Sequence, residues 1–273
     1  MARDFSEGRA AVRDGAGHWG FIDKKGRVVV ELKFADVTDF SEGLAGIDPL
    51  QIRPGLTGFV DRDGRIVIKP QFYVAYQFSC GLARVFDRPE IGMRPINTRF
   101  IRHDGSVAFL VDQSCTLTSE FHDGLAVIRK NDKYGYLNTK GKIAVQAIYD
   151  DADSMREGLA AVKVGDLWGF IDNSGKRCIK PTFIGKHDAP AFSEGYAFVT
   201  TSSGWRGFIN KNGKQVLADT MGRDYGMFKN GLVVFSKATP TNKVKNIYQY
   251  EFGYMKQDGE VVFIKTFLAT GLN

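Results

Sequence analysis

The segment Glu157-Gly158-Leu159-Ala160-Ala161-Val162, followed by Trp168-Gly169-Phe170-Ile171-Asp172 and then by Gly175, decides the fold of this chain. Related segments return seven times along the 273 residues. Because self-similarity at a short period is the signature of a repeat architecture, the sequence predicts one structural unit repeated along the chain. A chain built in this way favours a scaffold over an enzyme.

The repeats are set in register by one glycine in each unit and by a bulky apolar residue three positions before it. The glycines are Gly8, Gly43, Gly81, Gly124, Gly158, Gly195 and Gly231. The apolar residues, which we call anchors, are Phe5, Phe40, Phe78, Phe121, Met155, Phe192 and Phe228. This register predicts a single repeat domain over residues 1–273, with repeats at about 5–39, 40–77, 78–120, 121–154, 155–191, 192–227 and 228–267.

A second regularity predicts a tight hairpin in every repeat. A turn glycine always lies six residues after the position of the glycine in the Trp-Gly-Phe step: Gly26, Gly64, Gly105, Gly141, Gly175, Gly213 and Gly259. Most of these turns begin with Asp or Asn, which caps a type I turn, and the glycine takes the left-handed position that follows. The Trp-Gly-Phe-Ile-Asp segment and the β-branched segment after the turn are therefore expected to be antiparallel strands.

The remaining residues of each repeat predict one further long strand and a short fourth one. Gly-Leu-Ala-Val forms the further strand, and Lys69-Pro70 and Lys180-Pro181 are expected to end the strand after the turn, because proline cannot donate to a sheet. No segment has a sustained helical period with caps. The sequence thus predicts an all-β chain of seven repeats, each with three to four antiparallel strands.

The glycine inside the Trp-Gly-Phe strand needs a reason, because glycine weakens a strand unless something approaches it closely. Our hypothesis is that an aromatic ring of the neighbouring repeat fills the space beside it. In the third repeat, Arg99 replaces this glycine. The structural residues of the repeat are accordingly Trp19, Gly20, Gly58, Gly135, Trp168, Gly169, Gly207 and Gly253.

These residues resemble the WG-repeat family, also called KWG repeats. The resemblance rests on the Glu-Gly-Leu-Ala, Trp-Gly-Phe-Ile-Asp and Lys-Pro-x-Phe elements of the fifth repeat and covers the chain from about Phe5 to Lys265. Only Trp19 and Trp168 keep the tryptophan of the family name. The resemblance implies an all-β, largely bacterial interaction module with no common enzymatic activity and no catalytic residues to transfer.

Two architectures accommodate such units. One is a closed ring of seven propeller-like units, and the other is an open β-solenoid or superhelix of stacked units. The number of repeats and the absence of a polar capping unit favour the ring.

Composition restricts the function classes further. The net charge of +6 permits an acidic partner but does not demand nucleic acid. The candidate loops described below have mixed charges, including Asp48, Asp87 and Glu90, which makes nucleic acid an unlikely partner. Cys80, Cys115 and Cys178 are too far apart to indicate a disulfide framework or a metal site, and no cofactor is expected. Without a leader-like or membrane-spanning apolar stretch, the sequence indicates a cytoplasmic protein. The first repeat starts almost at Met1, so a fragment of a longer protein is an open alternative.

Long insertions in repeats two, three and seven are the candidate binding loops, because insertions at one position of a repeat map to one face. They contain residues 48–54, 86–97 and 236–250. In a ring these loops would share one arc. The candidate partner-binding residues are Arg53, Arg88, Arg94, Arg99, Lys243, Lys245, Tyr248 and Tyr250, since Arg and Tyr are frequent interface anchors. The alternative is that these loops are solvated surface insertions.

Catalysis finds little support in the sequence. The adjacent pairs His103-Asp104 and His122-Asp123 fall on repeat positions, and no nucleophile, phosphate or zinc motif occurs. The acids that recur before the first glycine are expected to cap turns rather than to form a catalytic ring. The sequence therefore favours a non-catalytic scaffold for protein–protein interaction, such as an inhibitor, immunity-type protein or adaptor. The alternative is a ring that binds a small molecule or a glycan.

Overall fold

The computed structural model describes residues 1–50, 56–87, 98–185, 189–220, 222–242 and 247–270, which form strands and turns and no helix. The all-β prediction is confirmed. Since these residues contain no helix, none of them belongs to a helix long and apolar enough to cross a membrane.

The chain divides into two compact units. The first contains residues 1–131 and 136–143, and the second contains residues 132–135 and 144–273. The boundary falls within the fourth repeat, and the expectation of one repeat domain over 1–273 stays a prediction.

The first unit holds two antiparallel sheets and a strand pair. The seven strands of the first sheet lie in chain order: β1 Ala2–Ser6, β2 Arg9–Arg13, β3 Trp19–Asp23, β4 Val28–Val37, β5 Leu44–Pro49, β6 Thr57–Asp61 and β7 Ile66–Phe72. The second sheet contains β8 Val74–Ala75, β9 Ala83–Phe86, β10 Thr98–Ile101 and β11 Val107–Leu110. In the fourth repeat, β12 Thr116–Leu117 pairs with β13 Leu125–Lys130, and β14 Lys133–Asn138 and β15 Ile143–Tyr149 follow.

The second unit repeats this plan with one sheet of seven strands and one of four. The larger sheet contains β16 Asp151–Ala152, β17 Leu159–Val164, β18 Leu167–Asp172, β19 Arg177–Ile184, β20 Tyr196–Thr201, β21 Arg206–Asn210 and β22 Gln215–Ala218. The smaller sheet contains β23 Asp224–Tyr225, β24 Leu232–Asn242, β25 Ile247–Lys256 and β26 Val261–Thr270.

The short fourth strand is present in the first six repeats, and in two of them it is the continuation of a longer strand. The start of β4 pairs with β3, whereas its last residues, Phe34 to Val37, pair with β5 of the next repeat. Strand β19 does the same between β18 and β20. Elsewhere the short strand is separate, as in β8, β12, β16 and β23. Three long strands and one short strand therefore form the repeating unit.

The hairpin predicted after each Trp-Gly-Phe strand is confirmed by its hydrogen bonds. In the second repeat, the side chain of Asp61 accepts hydrogen bonds from the backbone N–H groups of Asp63 and Arg65, both at 2.9 Å. Gly64 follows with a φ of 80°, the left-handed conformation that glycine adopts without strain. The same capping occurs at Asp172, Asn138 and Asn210.

The structure explains the glycine inside the Trp-Gly-Phe strand in a different way from the hypothesis based on the sequence. A Cβ on Gly169 would lie 2.6 Å from the carbonyl oxygen of Ile179 and 2.6 Å from the nitrogen of Pro181, which belong to the next strand of the same sheet. That strand, β19, bulges toward β18. Trp168 pairs with Phe183 and Phe170 pairs with Ile179, so β19 advances by four residues while β18 advances by two. The expectation of a ring from the neighbouring repeat was therefore wrong for this glycine.

The bulge also corrects the prediction that proline ends these strands. Pro70 and Pro181 lie inside β7 and β19, at the bulge, where a backbone N–H is not needed for pairing. The third repeat has no bulge at this position, since Arg99 pairs with Leu110 and Phe100 pairs with Phe109 in regular register. The missing bulge does not by itself explain Arg99, because the sixth and seventh repeats pair Gly207 with Ala218 and Gly253 with Ile264 in the same regular register and keep glycine.

Candidate interaction surface

The repeats within each unit are joined by pairs of aromatic rings. The anchor of each following repeat packs against the aromatic residue that comes directly after the strand glycine position of the preceding repeat. The centroid distances of five such pairs lie between 4.7 and 5.1 Å: Phe21–Phe40, Phe59–Phe78, Phe100–Phe121, Phe170–Phe192 and Phe208–Phe228. These rings are buried, and they form the centre of each interface between neighbouring repeats.

Polar contacts surround each aromatic pair. A serine one residue after the anchor donates a hydrogen bond to the carbonyl oxygen of the following anchor, as from Ser6 to Phe40 at 2.7 Å and from Ser41 to Phe78 at 2.7 Å. Ser79 and Ser193 make the same contact. In these four repeats, the serine thus fixes the backbone of the next repeat at the point where the anchor inserts.

The recurrent acids cap turns, as the sequence predicted, but the capped turn belongs to the following repeat. The carboxylate of Glu7 accepts hydrogen bonds from the backbone N–H groups of Glu42 and Gly43, both at 2.9 Å, and pairs with Arg62 at 2.6 Å. Equivalent contacts join Glu42 to Gly81, Glu157 to Gly195 and Glu194 to Gly231. These acids are therefore part of the repeat interface.

The pKa values of two of these acids reflect their hydrogen bonds. Partial burial raises the pKa of Glu7, but hydrogen bonds from Arg62, Gly43 and Glu42 outweigh this effect, and the pKa lies below its ordinary value of 4.5. The pKa of Glu157 is lowered in the same way, because contacts from Lys211 and two backbone N–H groups outweigh its burial. Both side chains are therefore held as carboxylates near neutral pH.

The turn glycine completes the interface by lying on an apolar side chain of the preceding repeat. Gly64 lies over Val30, Gly105 over Ile68 and Gly213 over Ile179, with a Cβ placed there meeting the side chain at 3.3 or 3.4 Å. Gly141 lies over the ring of Phe109 so closely that a Cβ would come within 2.6 Å of it. An aromatic ring at this position of the preceding repeat is thus compatible with the interface.

The first repeat exposes the same set of groups without a partner for them among the described residues. Its anchor, Phe5, is 50% exposed, whereas the other six anchors are at most 3% exposed. Its turn glycine, Gly26, has no atom within 4 Å of the Cβ position. Lys24 is at the position of Arg62 and Lys211, and it is exposed. We call Phe5, Gly8, Lys24 and Gly26 the leading face.

The seventh repeat exposes the opposite half of the interface. Tyr254 is 43% exposed, although the equivalent aromatic residues of the other six repeats, such as Phe21 and Phe170, are almost fully buried. Val234 is also exposed, and so is Phe263, which occupies the position of Val30 and Phe109. We call Asn230, Val234, Tyr254 and Phe263 the trailing face.

Beyond the trailing face, the strands of the seventh repeat are longer than their equivalents. β24 has 11 residues and β25 has 10, compared with 6 in β20 and 5 in β21. The additional residues continue the same pairing, with Tyr250 opposite Ala238 on one side and Phe267 on the other. The expectation of a loop over Ser236–Tyr250 was therefore wrong for the described part of this segment, which is mostly a hairpin.

Aromatic side chains cover one face of this extension. The rings of Tyr250 and Phe267 stack at 5.5 Å, and Tyr248 lies 6.2 Å from Tyr250. Phe252 lies 6.1 Å from Phe267, and both side chains are exposed. We call Tyr248, Tyr250, Phe252 and Phe267 the outer aromatic face.

The structure brings together only part of the candidate partner-binding set. Tyr248 and Tyr250 are neighbours on the outer aromatic face. Arg99 forms an ion pair with Asp87, and its guanidinium lies 5.7 Å from the ring centroid of Phe72, so it is engaged within its own unit. The other candidates, Arg53, Arg88, Arg94, Lys243 and Lys245, lie outside the described residues.

Sequence reasoning missed Phe252, Phe267, Tyr254 and Phe5 as surface residues. The alternating aromatic residues from Tyr248 to Tyr254 are a strand signal that predicts one shared face. No pattern within the first or the seventh repeat predicts that Phe5 and Tyr254 are exposed, because their exposure depends on whether another repeat packs against them.

His103 makes structural contacts. The His103 ring stacks on Phe78 at 4.3 Å and lies 3.4 Å from the carboxylate of Glu42, at the repeat interface. Over the residues that the structure describes, no group of three His, Cys, Asp or Glu side chains is arranged to hold a metal ion.

The second unit also contains a concave pocket of about 570 Å³, which is lined mainly by residues of the fifth and sixth repeats. Aromatic side chains dominate its lining, with Asp153 and Arg156 as its charged groups. The aromatic residues are Phe183, Tyr196, Phe198, Phe208, Tyr225 and Phe228. Its size and lining are within the range of small-molecule sites.

Fold and surface together define a β-repeat protein with two exposed end faces. The sequence model of the WG containing repeat matches residues 19–47, 58–86, 118–134, 134–168 and 168–205, which is more than half of the chain. The chain therefore belongs to the WG-repeat family. No curated relative matches it in sequence.

Solved structures of β-propeller proteins are similar to this chain in fold. BamB from Moraxella catarrhalis is 10% identical, with a TM-score of 0.50 over 97% of this chain and 84% of that one. A eukaryotic initiation factor is 11% identical, with a TM-score of 0.49 over 97% and 88%. Kluyveromyces lactis Hsv2 is 10% identical, with a TM-score of 0.46 over 97% and 95%. At this identity, the likeness to BamB supports a propeller-like fold and nothing about function.

Proposed function

We propose that this chain is a non-catalytic scaffold that binds another protein through the outer aromatic face of its seventh repeat. The observation that carries the proposal is the exposure of Phe252 and Phe267 beside Tyr248 and Tyr250 on strands that extend beyond the repeat. Contiguous exposed apolar surface is a common mark of protein interaction sites. The long segments of repeats two and three are the further candidates for contact with the same partner.

The chemistry of this face fits a protein partner better than a polyanion. Tyrosine and phenylalanine are enriched in the centres of protein interfaces, because their rigid rings bury a large area at low entropy cost. Apart from Lys265, the residues that pair with Tyr248, Tyr250 and Phe252 are uncharged, so this face has no cluster of positive charges among its pairing partners. A phosphate-binding surface would instead need one dominant sign of charge.

The test compares partner capture by the wild-type chain with capture by Tyr250→Ser/Phe267→Ser. A protein that the wild type retains should be lost by this variant and retained by the control Ile148→Ser, which changes an exposed apolar residue on another sheet. With that partner purified, the double substitution should raise the dissociation constant about a hundredfold. Unchanged affinity in a folded variant would exclude the outer aromatic face as the binding site.

A second candidate function is the binding of a small molecule or a glycan, and the pocket of the second unit favours it. Tyr225 and Phe208 present rings to this space at a centroid distance of 5.2 Å, and Arg156 supplies a cation. A ligand that fits there should raise the melting temperature of the wild type and have a smaller effect on Tyr225→Ala. A panel of glycans and metabolites in thermal-shift measurements tests this.

The closed ring of seven units, the cytoplasmic location and the bacterial source stay predictions of the sequence. Binding through the outer aromatic face requires none of them.

A further inference from the structure

We propose that the pocket of the second unit binds a short extended peptide, which pairs with the backbone of Phe198 in β20. This inference rests on the second candidate function, the binding of a ligand in this pocket, and specifies the chemical class of that ligand. The outer aromatic face takes no part in it. The observation that carries it is a gap beside β20, at a position that the chain itself closes in five other repeats.

The backbone of Phe198 is directed to the edge of β20 that lies away from β21. Alternate residues of an antiparallel strand direct their N–H and C=O groups to opposite edges. Thr201 donates a hydrogen bond to the carbonyl oxygen of Trp205 at 2.8 Å, so Thr201 and Val199 face β21. Both backbone groups of Phe198 therefore face the segment that precedes the anchor Phe192.

This segment lacks the hydrogen-bond donor that other repeats have. In five of them, the carbonyl oxygen at the position of Phe198 accepts a hydrogen bond from the backbone just before the anchor. The donors and acceptors, at 2.9 to 3.0 Å, are Thr38 and Gly46, Tyr76 and Arg84, Thr118 and Val127, Asp153 and Ala161, and Gly226 and Val234. Pro190 has the position of Thr38 and has no N–H group. Over the residues that the structure describes, no other backbone N–H donates to Phe198 at this edge.

The N–H group of Phe198 also lacks the acceptor that the second repeat supplies. There the N–H of Gly46 donates to the hydroxyl oxygen of Thr38 at 2.8 Å, and the fourth repeat makes the same contact. Pro190 has no hydroxyl group. Phe198 thus presents one donor and one acceptor on the same edge, and one residue of an extended peptide satisfies both, as in any antiparallel pair.

The pocket lies where the pairing of β20 stops. β19 ends at Ile184, which is opposite Thr200. Phe198, Thr200 and Pro190 all line the pocket, so a ligand there lies beside the open edge. Ile184 and Met227 also line it and are exposed, which leaves the pocket accessible from solvent.

The side chain of the peptide residue would be apolar or aromatic. Directly opposite residues of an antiparallel pair have their side chains on the same face of the sheet, so this side chain would lie beside the ring of Phe198. That ring is 5.1 Å from Phe208 and 4.9 Å from Tyr225, and Phe198 and Tyr225 are only half-buried. The other six repeats have Ala, Gly, Arg or Val at the position of Phe198, so this aromatic wall is particular to the sixth repeat.

Acetylated and amidated tripeptides of the form Ala-X-Ala are the probes, because their capped ends exclude a charge attraction to Arg156 at the pocket. In isothermal titration calorimetry with the full chain, peptides with Leu, Phe or Tyr at X should bind about tenfold more tightly than those with Asp or Lys. Methylation of the N–H of residue X removes the donor for the carbonyl oxygen of Phe198. It should weaken binding about tenfold.

Pro190→Thr tests the same contact from the protein side. It supplies the N–H and the hydroxyl group that Thr38 supplies in the second repeat, so the chain can satisfy Phe198 itself. The variant should retain the melting temperature of the wild type and bind the peptides about tenfold more weakly. The control Pro240→Thr replaces a proline outside the pocket and should bind them like the wild type, as should Tyr250→Ser/Phe267→Ser.

Equal affinity for methylated and unmethylated peptides would overturn the proposal, as would unchanged affinity in a folded Pro190→Thr variant. If the wild type bound none of the peptides but its melting temperature rose with a glycan or metabolite, the peptide inference would be wrong and the second candidate function would stand. A wild type that responds to neither the peptides nor that panel would overturn both.

Discussion

The fifth and seventh repeats use the same local pattern but differ in what covers them. Trp168-Gly169-Phe170 and Phe252-Gly253-Tyr254 are equivalent strand segments, each paired with a strand on both sides. Phe170 is buried under Phe192 of the next repeat, whereas Tyr254 is exposed. The comparison shows that the strand order of a repeat is determined within the repeat, and that the burial of its aromatic face is determined by the following one.

The seventh repeat differs from the fifth at two positions of the repeat interface. Tyrosine replaces phenylalanine at position 254, and asparagine replaces glutamate at position 230. The strands also extend beyond the length used in the interior repeats and present further aromatic residues. Among the residues that the structure describes, the seventh repeat therefore presents a cluster of exposed apolar side chains.

The largest effect should come from deleting the same anchor at an interior and at an end position. Phe192→Ala removes a buried ring and should lower the free energy of unfolding by about 3–5 kcal/mol, because it leaves a cavity against Phe170. Phe5→Ala removes an exposed ring and should change it by less than about 0.5 kcal/mol. Urea unfolding at low protein concentration measures both.

The same two variants also distinguish a chain whose leading face is exposed from a chain that forms a closed ring. If Phe5→Ala were as destabilising as Phe192→Ala in dilute solution, Phe5 would be buried within the monomer. The trailing face would then be covered by the chain itself. A small effect of Phe5→Ala and a large one of Phe192→Ala supports the difference between interior and end repeats.

The second largest effect should come from Gly169 in β18, because the bulge of the neighbouring strand β19 leaves no room for a side chain there. Gly169→Ala places a methyl group 2.6 Å from the backbone of Ile179 and Pro181, and it should cost about 2–4 kcal/mol because backbone must move. Gly226→Ala is the control, since a Cβ there meets only the carbonyl oxygen of Val234 at 3.7 Å. Its stability should stay within about 0.5 kcal/mol of the wild type.

The parts of the fold that depend on nearby residues could be predicted from the sequence. The turn at Asp61–Gly64 follows from an Asx cap and a left-handed glycine three residues apart, and both act locally. The repeat register, the all-β class and the short fourth strand followed in the same way. The role of Gly169 could not be predicted, because it depends on the register of β19, including the bulge at Pro181.

The candidate site could be predicted only in part. Tyr248 and Tyr250 were identified as surface residues, but Pro240 and its polar neighbours indicated a loop where β24 continues as a strand. Proline is tolerated there because the neighbouring strand β23 pairs only with Phe235 and Ser236, so Pro240 lies beyond its end. The exposed end faces were not predicted, since exposure depends on the neighbouring repeat.

The smallest of these effects concerns the carboxylate that joins the fifth repeat to the sixth. Glu157→Gln keeps the shape of the side chain but removes the charge that accepts hydrogen bonds from Gly195 and Lys211. It should lower stability by about 1 kcal/mol near neutral pH, because charged hydrogen bonds at a partly exposed site become neutral ones. Glu260→Gln, at an exposed pair with Lys256, should change stability by less than about 0.5 kcal/mol.

The lowered pKa of Glu157 determines how the stability difference between wild type and Glu157→Gln changes with pH. The pKa of Glu157 in the folded chain is lowered below 4.5, so the unfolded chain binds the proton more readily. The contribution of this carboxylate is therefore fully present above about pH 5 and is lost as the pH falls through the lowered pKa. The difference in unfolding free energy between wild type and Glu157→Gln should accordingly shrink between about pH 6 and about pH 3. A difference that stays constant over that range would mean that the carboxylate does not join the two repeats.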